Sequence, residues 1–188
     1  MLAGAGGKPV KGTRDRGASL ANELGEEAAM AIRSGIGYDI HRTAVGRPLV
    51  LGGVEIASVF GLDGHSDADV LLHAIGDALL GAATLGDLGD HFPPGDPRWK
   101  DASSLEILGL IRALVEGRGF RPTFVDASLI AEAPKIAPYR QAMRVNIARA
   151  LKLGIEQVSV KATTNEALGA VGRGEGIAAM AVVTVDKV

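Results

Sequence analysis

The chain has 188 residues, a length at which one domain with a sizeable buried core is expected. Its net charge of -2 and pI near 6.1 argue against a nucleic-acid-binding surface, which is usually basic. Because the chain has no cysteine, disulfides, thiol nucleophiles and thiolate zinc sites are excluded, and a metal would have to be held by histidine and carboxylate side chains.

The first 33 residues differ in composition from the rest of the chain. They are rich in Gly and Ala, and no apolar run in the sequence reaches the ~18 residues needed to span a membrane. A transit peptide is the alternative, but the acidic residues of this segment weigh against it. We expect residues 1–33 to be a leader that the chemistry does not require, with Met30 as an alternative start. The remaining single domain, 34–188, is predicted to be cytoplasmic and to have no membrane or nucleic-acid partner.

The first strand is predicted from Gly35 to Arg42. Alternate residues of a strand share a face, so Asp39 and His41 are expected to point the same way. Two short apolar stretches then flank Gly52-Gly53, a pair typical of a two-residue β-hairpin turn.

The first helix of the domain is predicted to begin at Ser66 and to run to about Leu85. Ser66 followed by Asp69 has the spacing of a capping box, and apolar residues recur at helical spacing after it. This start would place His73 two turns inside the helix.

Asp39, His41 and His73 together predict a divalent-metal site. One carboxylate and two imidazoles are suitable ligands, and three protein ligands leave room for a substrate oxygen. For each histidine alone, a buried and hydrogen-bonded core residue is the alternative; the three together favour the metal. Asp69 and Asp77 share a helix face with His73, and they either support its ring or form a charged flank.

The rest of the chain alternates helices and strands. Short links separate them, so we expect an α+β fold in which a mixed β-sheet packs against long α-helices. The predicted elements are a helix capped by Ser103 and ending at Gly117, a strand from Phe124 to Ala131, a helix from Tyr139 to Leu153, a strand from Gln157 to Ala162 and a strand from Ile177 to Val185.

Several short motifs occur in a fixed order from Gly35 to the end of the chain. They are Gly-Tyr-Asp-Ile-His (37–41), His-Ser-Asp-Ala-Asp-Val (65–70), Asp-Ala-Leu-Leu-Gly-Ala-Ala (77–83), Gly-Asp-Leu-Gly (86–89), Ala-Pro-Lys (133–135), Lys-Ala-Thr-Thr (161–164) and Gly-Arg-Gly-Glu-Gly-Ile-Ala (172–178). With these motifs the chain resembles the 2-C-methyl-D-erythritol 2,4-cyclodiphosphate synthase family.

The resemblance implies a lyase of the non-mevalonate pathway of isoprenoid and terpenoid biosynthesis. Such an enzyme converts 4-diphosphocytidyl-2-C-methyl-D-erythritol 2-phosphate to the 2,4-cyclodiphosphate and releases CMP. It also implies a homotrimer around a threefold axis, with active sites between subunits. Asp39, His41 and His73 would bind one metal ion. Their chemistry favours zinc, and manganese and iron(II) are the alternatives. Glu166 would bind a second ion, magnesium or manganese, together with the substrate diphosphate.

By position in the motifs, His65 and Thr164 would be the catalytic residues that stabilise the transition state. The loop Asp87 to Gly89 would line the methylerythritol phosphate pocket, Ala131 to Ala137 would hold the cytosine, and Thr163 to Glu166 with Arg173 would hold the cytidine diphosphate. The full expected substrate-binding set is Asp39, Ile40, His41, His65, Ser66, Asp87, Leu88, Gly89, Phe92, Asp96, Ala131, Glu132, Ala133, Pro134, Lys135, Ile136, Ala137, Thr163, Thr164, Asn165, Glu166, Ala170 and Arg173.

The chain departs from the family pattern at three positions. Pro94 stands where an acidic residue is frequent, Ala170 replaces a common aromatic residue, and Ser103 stands where Asp is frequent. None of the three belongs to the expected metal ligands.

Two other functions fit the same residues. A metal-dependent phosphoesterase could use the three ligands to activate water. A non-catalytic trimeric module that binds isoprenoids or nucleotides is the second alternative. No Gly-x-Gly-x-x-Gly links a strand to a helix at a suitable place, which argues against a dinucleotide-dependent oxidoreductase.

Overall fold

The computed structural model of the protein describes residues 1, 32–99 and 102–188. The predicted leader therefore lies outside the described residues, except for Met1, Ile32 and Arg33. Ile32 and Arg33 begin the first strand, where they pair with residues near the end of the chain.

The domain contains seven strands and five α-helices among its described residues. The strands are β1 (Ile32–Ala44), β2 (Leu49–Leu51), β3 (Val54–Ile56), β4 (Gly61–Leu62), β5 (Phe120–Ile130), β6 (Val158–Thr163) and β7 (Gly176–Lys187). The α-helices are α1 (Val70–Ala82), α2 (Leu88–His91), α3 (Ser104–Gly117), α4 (Arg140–Leu151) and α5 (Gly169–Gly172). Short 3₁₀ helices span Pro97–Trp99, Ala137–Tyr139 and Ile155–Gln157.

Five strands form one mixed sheet in the order β4-β1-β7-β5-β6. Its neighbours are antiparallel except for β5 and β6, which run parallel. The predicted mixed sheet is confirmed. Strands β2 and β3 form a separate hairpin, as predicted, and its turn residues Gly52 and Gly53 have φ angles of 59° and 67° that favour glycine.

The core lies between one face of the sheet and the helices. Helix α1 packs against β1 and β7 on one side and against α3 on the other, which is why it is buried nearly all round. The opposite face of the sheet, here called the open face, presents Ile36, Tyr38, Ile40, Met180 and Val182, each between 42% and 68% exposed in the single chain.

The three main helices are of ordinary length rather than long, which corrects the expectation from sequence. They contain 13, 14 and 12 residues. Helix α1 ends before Leu85 because Thr84 and Gly86 have φ angles of 55° and 82°, which interrupt helical geometry. None of the helices in the described part of the chain combines the length and the apolar character needed to cross a membrane.

Helix α1 also begins later than predicted. Ala68 has a left-handed φ of 57°, so the helix cannot extend back to Ser66. Asp69 is the N-cap, and its Oδ1 accepts a hydrogen bond from the backbone N–H of Leu72 at 3.1 Å. His73 consequently lies in the first turn of α1 and not two turns inside it.

Candidate active site

Strand β1 and helix α1 approach each other closely at the site. A Cβ atom at Gly35 or Gly37 would overlap the carbonyl oxygens of Ala78 and Ala74 in α1. With no side chains at these two positions, α1 lies directly against β1. The first turn of α1 therefore brings His73 next to the residues that follow Gly37 on the same face of the strand.

Asp39, His41 and His73 form one compact cluster. Asp39 Oδ2 lies 3.0 Å from His73 Nδ1 and 3.1 Å from His41 Nδ1. One ligand atom from each residue lies within 4.8 Å of the others, so a single ion could be bound by all three. The His41 Nδ1 atom is buried and has no hydrogen bond within the described residues. A carboxylate and two imidazoles, one of them with a buried ring nitrogen that lacks a well-aligned hydrogen bond, fit a divalent metal such as zinc.

The charges of this cluster favour an ionised carboxylate. Burial would raise the pKa of Asp39, but close contact with His41 and His73 outweighs burial and holds that pKa well below its usual range. Burial would lower the pKa of His73, and the hydrogen bond with Asp39 and the charges of Asp39, Asp69 and Asp67 together raise it. Asp39 is therefore negatively charged at neutral pH and available as a ligand.

The far side of the His73 ring is bonded to two serines. His73 Nε2 lies 3.1 Å from Ser104 Oγ and 3.2 Å from Ser66 Oγ. Ser104 is in turn hydrogen-bonded to Asp67 through both its backbone N–H and its hydroxyl. The sequence did not suggest Asp67 or Ser104 for this role, because they are 37 positions apart and on different elements.

Neither Asp69 nor Asp77 forms a side-chain hydrogen bond with the His73 ring in the described structure. Asp69 is fully buried and binds the β2–β3 turn, where its Oδ2 accepts from the N–H of Gly53 at 2.7 Å. Asp77 Oδ1 accepts from the N–H of Leu88 at 2.8 Å, which ties α1 to the start of α2.

A cavity of about 700 Å³ opens above the cluster. Its lining includes the three cluster residues and six more of the predicted substrate-binding residues, namely His65, Ser66, Leu88, Gly89, Phe92 and Asp96. Asp87 instead caps α2 by accepting from the N–H of Asp90 at 3.1 Å. The side chain of Ile40 lies on the open face of the sheet, opposite to Asp39 and His41.

Among the other residues that line the cavity are Arg47 and Trp99, to which the sequence assigned no role in the site. Arg47 donates hydrogen bonds to the carbonyl oxygens of Gly64 at 2.7 Å and Ser66 at 2.8 Å, so it braces both sides of His65. Trp99 packs edge-on against Phe92, with ring centroids 4.9 Å apart. The recorded partners of the Arg47 side chain are backbone oxygens. Every residue has a backbone oxygen, so the sequence could not indicate which ones Arg47 would bind.

The residues expected to bind the nucleotide lie at a second place in the chain. Strands β5 and β6 are parallel and end side by side at Ile130 and Thr163, so the segments that follow them are neighbours. The backbone N–H of Ala131 donates to the carbonyl of Thr163 at 3.0 Å. The other expected residues in this group are Glu132, Ala133, Pro134, Lys135, Ile136, Ala137, Thr164, Asn165, Glu166, Ala170 and Arg173. Among the described residues that line the cavity above the metal cluster, none comes from this second group.

The loop after β6 is held by Glu132. Its Oε1 accepts from the N–H groups of Asn165 at 2.8 Å and Ala167 at 3.2 Å. Glu166 and Ala167 have left-handed φ angles of 51° and 60°. Within this loop, Thr164 Oγ1 donates to Glu166 Oε1 at 3.1 Å, and beyond it Arg173 forms an ion pair with Glu175.

Nearly the whole domain that carries the cluster matches a known protein family. The model of the YgbB family matches residues 32–186. The chain belongs to the YgbB family. A Chlorobaculum tepidum member, 2-C-methyl-D-erythritol 2,4-cyclodiphosphate synthase, is 59% identical over 156 residues, which cover 83% of this chain and 99% of the relative. The synthase of Gloeobacter violaceus is 58% identical over 83% of this chain and 96% of the relative.

Solved structures of family members have the same fold. The chain is similar to IspF of Plasmodium falciparum in complex with CDP, at 34% identity and a TM-score of 0.73, covering 84% of this chain and 97% of that one. It is also similar to the bifunctional IspDF of Campylobacter jejuni, at 42% identity and a TM-score of 0.82, covering 85% of this chain but 43% of the longer one. The family membership predicted from the motifs is confirmed.

Proposed function

We propose that the chain is a 2-C-methyl-D-erythritol 2,4-cyclodiphosphate synthase. The observation that carries the proposal is the cluster of Asp39, His41 and His73 at the base of a cavity, in a member of a family whose relatives bear this name. The enzyme acts in the cytoplasm on 4-diphosphocytidyl-2-C-methyl-D-erythritol 2-phosphate. An oxygen of the 2-phosphate attacks the β-phosphorus, the bond between that phosphorus and the bridging oxygen breaks, and its electron pair leaves with CMP.

The main obstacle to this reaction is electrostatic. The attacking phosphate is already anionic, so no side-chain nucleophile is required. Two unit charges 4 Å apart repel by about 4 kcal/mol at an effective dielectric constant near 20. This repulsion alone corresponds to roughly a thousandfold in rate. A divalent ion bound by the cluster would supply Lewis-acid neutralisation of the phosphate oxygens, and zinc is the ion that this ligand set favours, with manganese as the alternative.

The residues of the chain supply positioning and hydrogen-bond donors. Asp39, His41 and His73 would fix where the phosphates bind, because they would hold the divalent ion at one place in the cavity. His65 and Ser66 line the same cavity, where they hold the methylerythritol phosphate and, in the case of His65, stabilise the developing charge. Both reacting groups belong to one substrate molecule, so the site has only to hold that molecule in the conformation that brings the 2-phosphate to the β-phosphorus.

The second group of residues would bind the nucleotide part of the substrate. Ala131 to Ala137 hold the cytosine, and Thr163 to Glu166 with Arg173 hold the diphosphate. Thr164 would donate to the transition state, and Glu166 would hold a second ion, magnesium or manganese. Because this group does not line the cavity of its own chain, we propose that the active site is completed by a neighbouring subunit of a homotrimer. The exposed apolar side chains of the open face support association of subunits through the sheet.

The proposal is tested by turnover of the cytidine diphosphate substrate, followed by ³¹P NMR. The synthase yields CMP and a cyclic diphosphate, whereas a phosphoesterase that uses the same cluster yields a linear hydrolysis product. His73→Ala should abolish formation of the cyclic product. His91→Ala is the matched control, because His91 lies outside the cluster and bonds to the carbonyl of Leu85. A linear product from the wild-type protein would overturn the proposal.

A further inference from the structure

The two ring nitrogens of His73 have different partners. Nδ1 faces Asp39 and the metal cluster, and Nε2 faces the hydroxyls of Ser104 and Ser66. When Nδ1 binds a metal, Nε2 carries the remaining proton of the ring and needs a hydrogen-bond acceptor. The direction in which the serine hydroxyls point therefore matters for metal binding.

Asp67 determines the direction of the Ser104 hydroxyl. A carboxylate offers only acceptors, and Asp67 accepts from the Ser104 backbone N–H at 3.0 Å through Oδ2 and from the Ser104 hydroxyl through Oδ1. Since the hydroxyl proton points at Asp67, the lone pairs of Ser104 Oγ are left for His73 Nε2–H. Ser104 is 1% exposed, so solvent water has little access to replace this contact.

Ser66 does not impose a direction in the same way. Its Oγ accepts from the N–H of Ala68 at 3.2 Å, and its own hydroxyl proton is free to rotate. Ser66 can thus serve the Nε2 atom as a donor or as an acceptor. Of the two serines, only Ser104 has its polarity fixed by a carboxylate among the described contacts.

We propose that Asp67 acts through Ser104 as a positioning residue, so that His73 keeps its proton on Nε2 and offers Nδ1 to the metal. The inference rests on the metal site of the proposed function and extends it by two residues. Partners that orient a ligating histidine in this way are typically worth about 10- to 100-fold in metal affinity.

Asp67→Asn separates this role from simple capping of α3. The amide oxygen can still accept from the Ser104 N–H. The amide nitrogen then faces, as a donor, both the Ser104 hydroxyl and the N–H of Asp69, which donates to Asp67 Oδ1 at 3.3 Å in the wild type. The hydroxyl proton turns toward His73 Nε2, where it meets the Nε2–H group. We expect zinc to bind about 10- to 100-fold more weakly to this variant. Ser104→Ala, which retains Ser66, should have a smaller effect.

The decisive measurement is a double-mutant cycle of zinc affinity, measured by competition with a chelator on the full chain. In the Ser104→Ala background no hydroxyl can turn the wrong way, so Asp67→Asn should weaken zinc binding much less than it does in the wild-type background. The effect that remains there measures the loss of the contact with the Asp69 N–H. Ser103→Ala is the matched control, because the Ser103 side chain makes no capping hydrogen bond within the described structure. In the zinc-loaded wild type, ¹⁵N NMR should show a protonated, slowly exchanging Nε2 on His73, and Asp67→Asn should speed that exchange.

Three results would overturn the inference. These are unchanged zinc affinity in Asp67→Asn, additive effects in the cycle, and zinc bound at Nε2 of His73 in the wild type. All three leave the proposed metal site standing, since the wild type would still bind zinc. A wild-type protein that binds no zinc would instead contradict the metal site itself, and this inference with it.

Discussion

A side chain at Gly37 would overlap the carbonyl oxygen of Ala74, so β1 and α1 can lie this close only because residue 37 is glycine. This contact sets the distance between the strand that carries Asp39 and the helix that carries His73. The backbone packing and the metal cluster are therefore coupled.

Gly37→Ala should destabilise the domain and weaken metal binding together. The added Cβ meets backbone that cannot rotate away, so α1 must shift, at a cost of about 1–3 kcal/mol in the free energy of unfolding. The shift also separates His73 from Asp39. Urea unfolding with chelator present and zinc titration measure the two effects. Gly81→Ala, in helix α1, is the control, because a Cβ atom added at Gly81 meets no atom within 4 Å. This substitution should stabilise the domain by up to about 1 kcal/mol without changing its zinc affinity.

Asp39→Asn should lower the pKa of His73 in the metal-free protein. Burial lowers that pKa, and the hydrogen bond and charge of Asp39 are the main factors that raise it. An amide keeps the shape but not the charge, so the raising effect is lost. Titration of the His73 ring by NMR measures the change, and zinc affinity should fall as well. Asp63→Asn, at an exposed position, should leave both quantities unchanged. A His73 pKa that rises in Asp39→Asn would contradict the described electrostatics.

The contribution of Asp69 to the free energy of unfolding of the metal-free protein should decrease as the pH rises. Burial raises the pKa of Asp69 to about 6, more than its backbone hydrogen bonds lower it. Between about pH 4, where an unfolded Asp ionises, and pH 6, the folded protein holds the proton more tightly than the unfolded chain. The stabilisation is thus complete below this window and is lost as the pH rises through it.

Asp69→Asn removes this titration. Urea unfolding at a series of pH values measures the free energy of unfolding of both proteins. That of the variant should rise relative to that of the wild type as the pH increases from 4 to 7. A stability difference between the two that is independent of pH, or one that changes in the opposite direction, would show that Asp69 is not held protonated by burial.

Glu132→Ala should raise KM for the substrate by about 10-fold, because it leaves the N–H groups of Asn165 and Ala167 without their charged acceptor. The loop between them carries Glu166 in a left-handed conformation, which the carboxylate helps to hold. Glu132→Gln retains one amide oxygen and should restore part of the affinity. Glu55→Ala, at an exposed position of β3, is the control. Equal kinetics for all three variants would rule out this role for Glu132.

The sequence was sufficient to predict the strand that carries Asp39 and His41, the β2–β3 hairpin, the mixed sheet and the family. These features depend on alternation, turn residues and short motifs, which are local. The three metal-cluster residues could also be named, because their chemical types limit what they can do together.

Other features were not accessible from local patterns. The late start of α1 results from the left-handed φ of Ala68, and alanine carries no sequence preference for that conformation. Ser103 is the N-cap of α3 as predicted, but its side chain makes no capping hydrogen bond. Asp67 accepts from the Ser104 N–H instead, and these two residues are brought together only by tertiary packing. The separation of the cavity from the residues expected to bind the nucleotide likewise depends on where the whole sheet places its strand ends.

The most direct test of the account is X-ray absorption at the zinc edge of the loaded protein, in the wild type and in His73→Ala. The chain contains four histidines and no cysteine, so each imidazole ligand must come from a small set. We predict two imidazoles and one carboxylate at about 2.0–2.2 Å in the wild type, and one imidazole fewer in the variant. Zinc coordinated only by oxygen atoms would contradict a metal held jointly by β1 and α1. The same conclusion would follow if His73→Ala left the number of imidazole ligands unchanged.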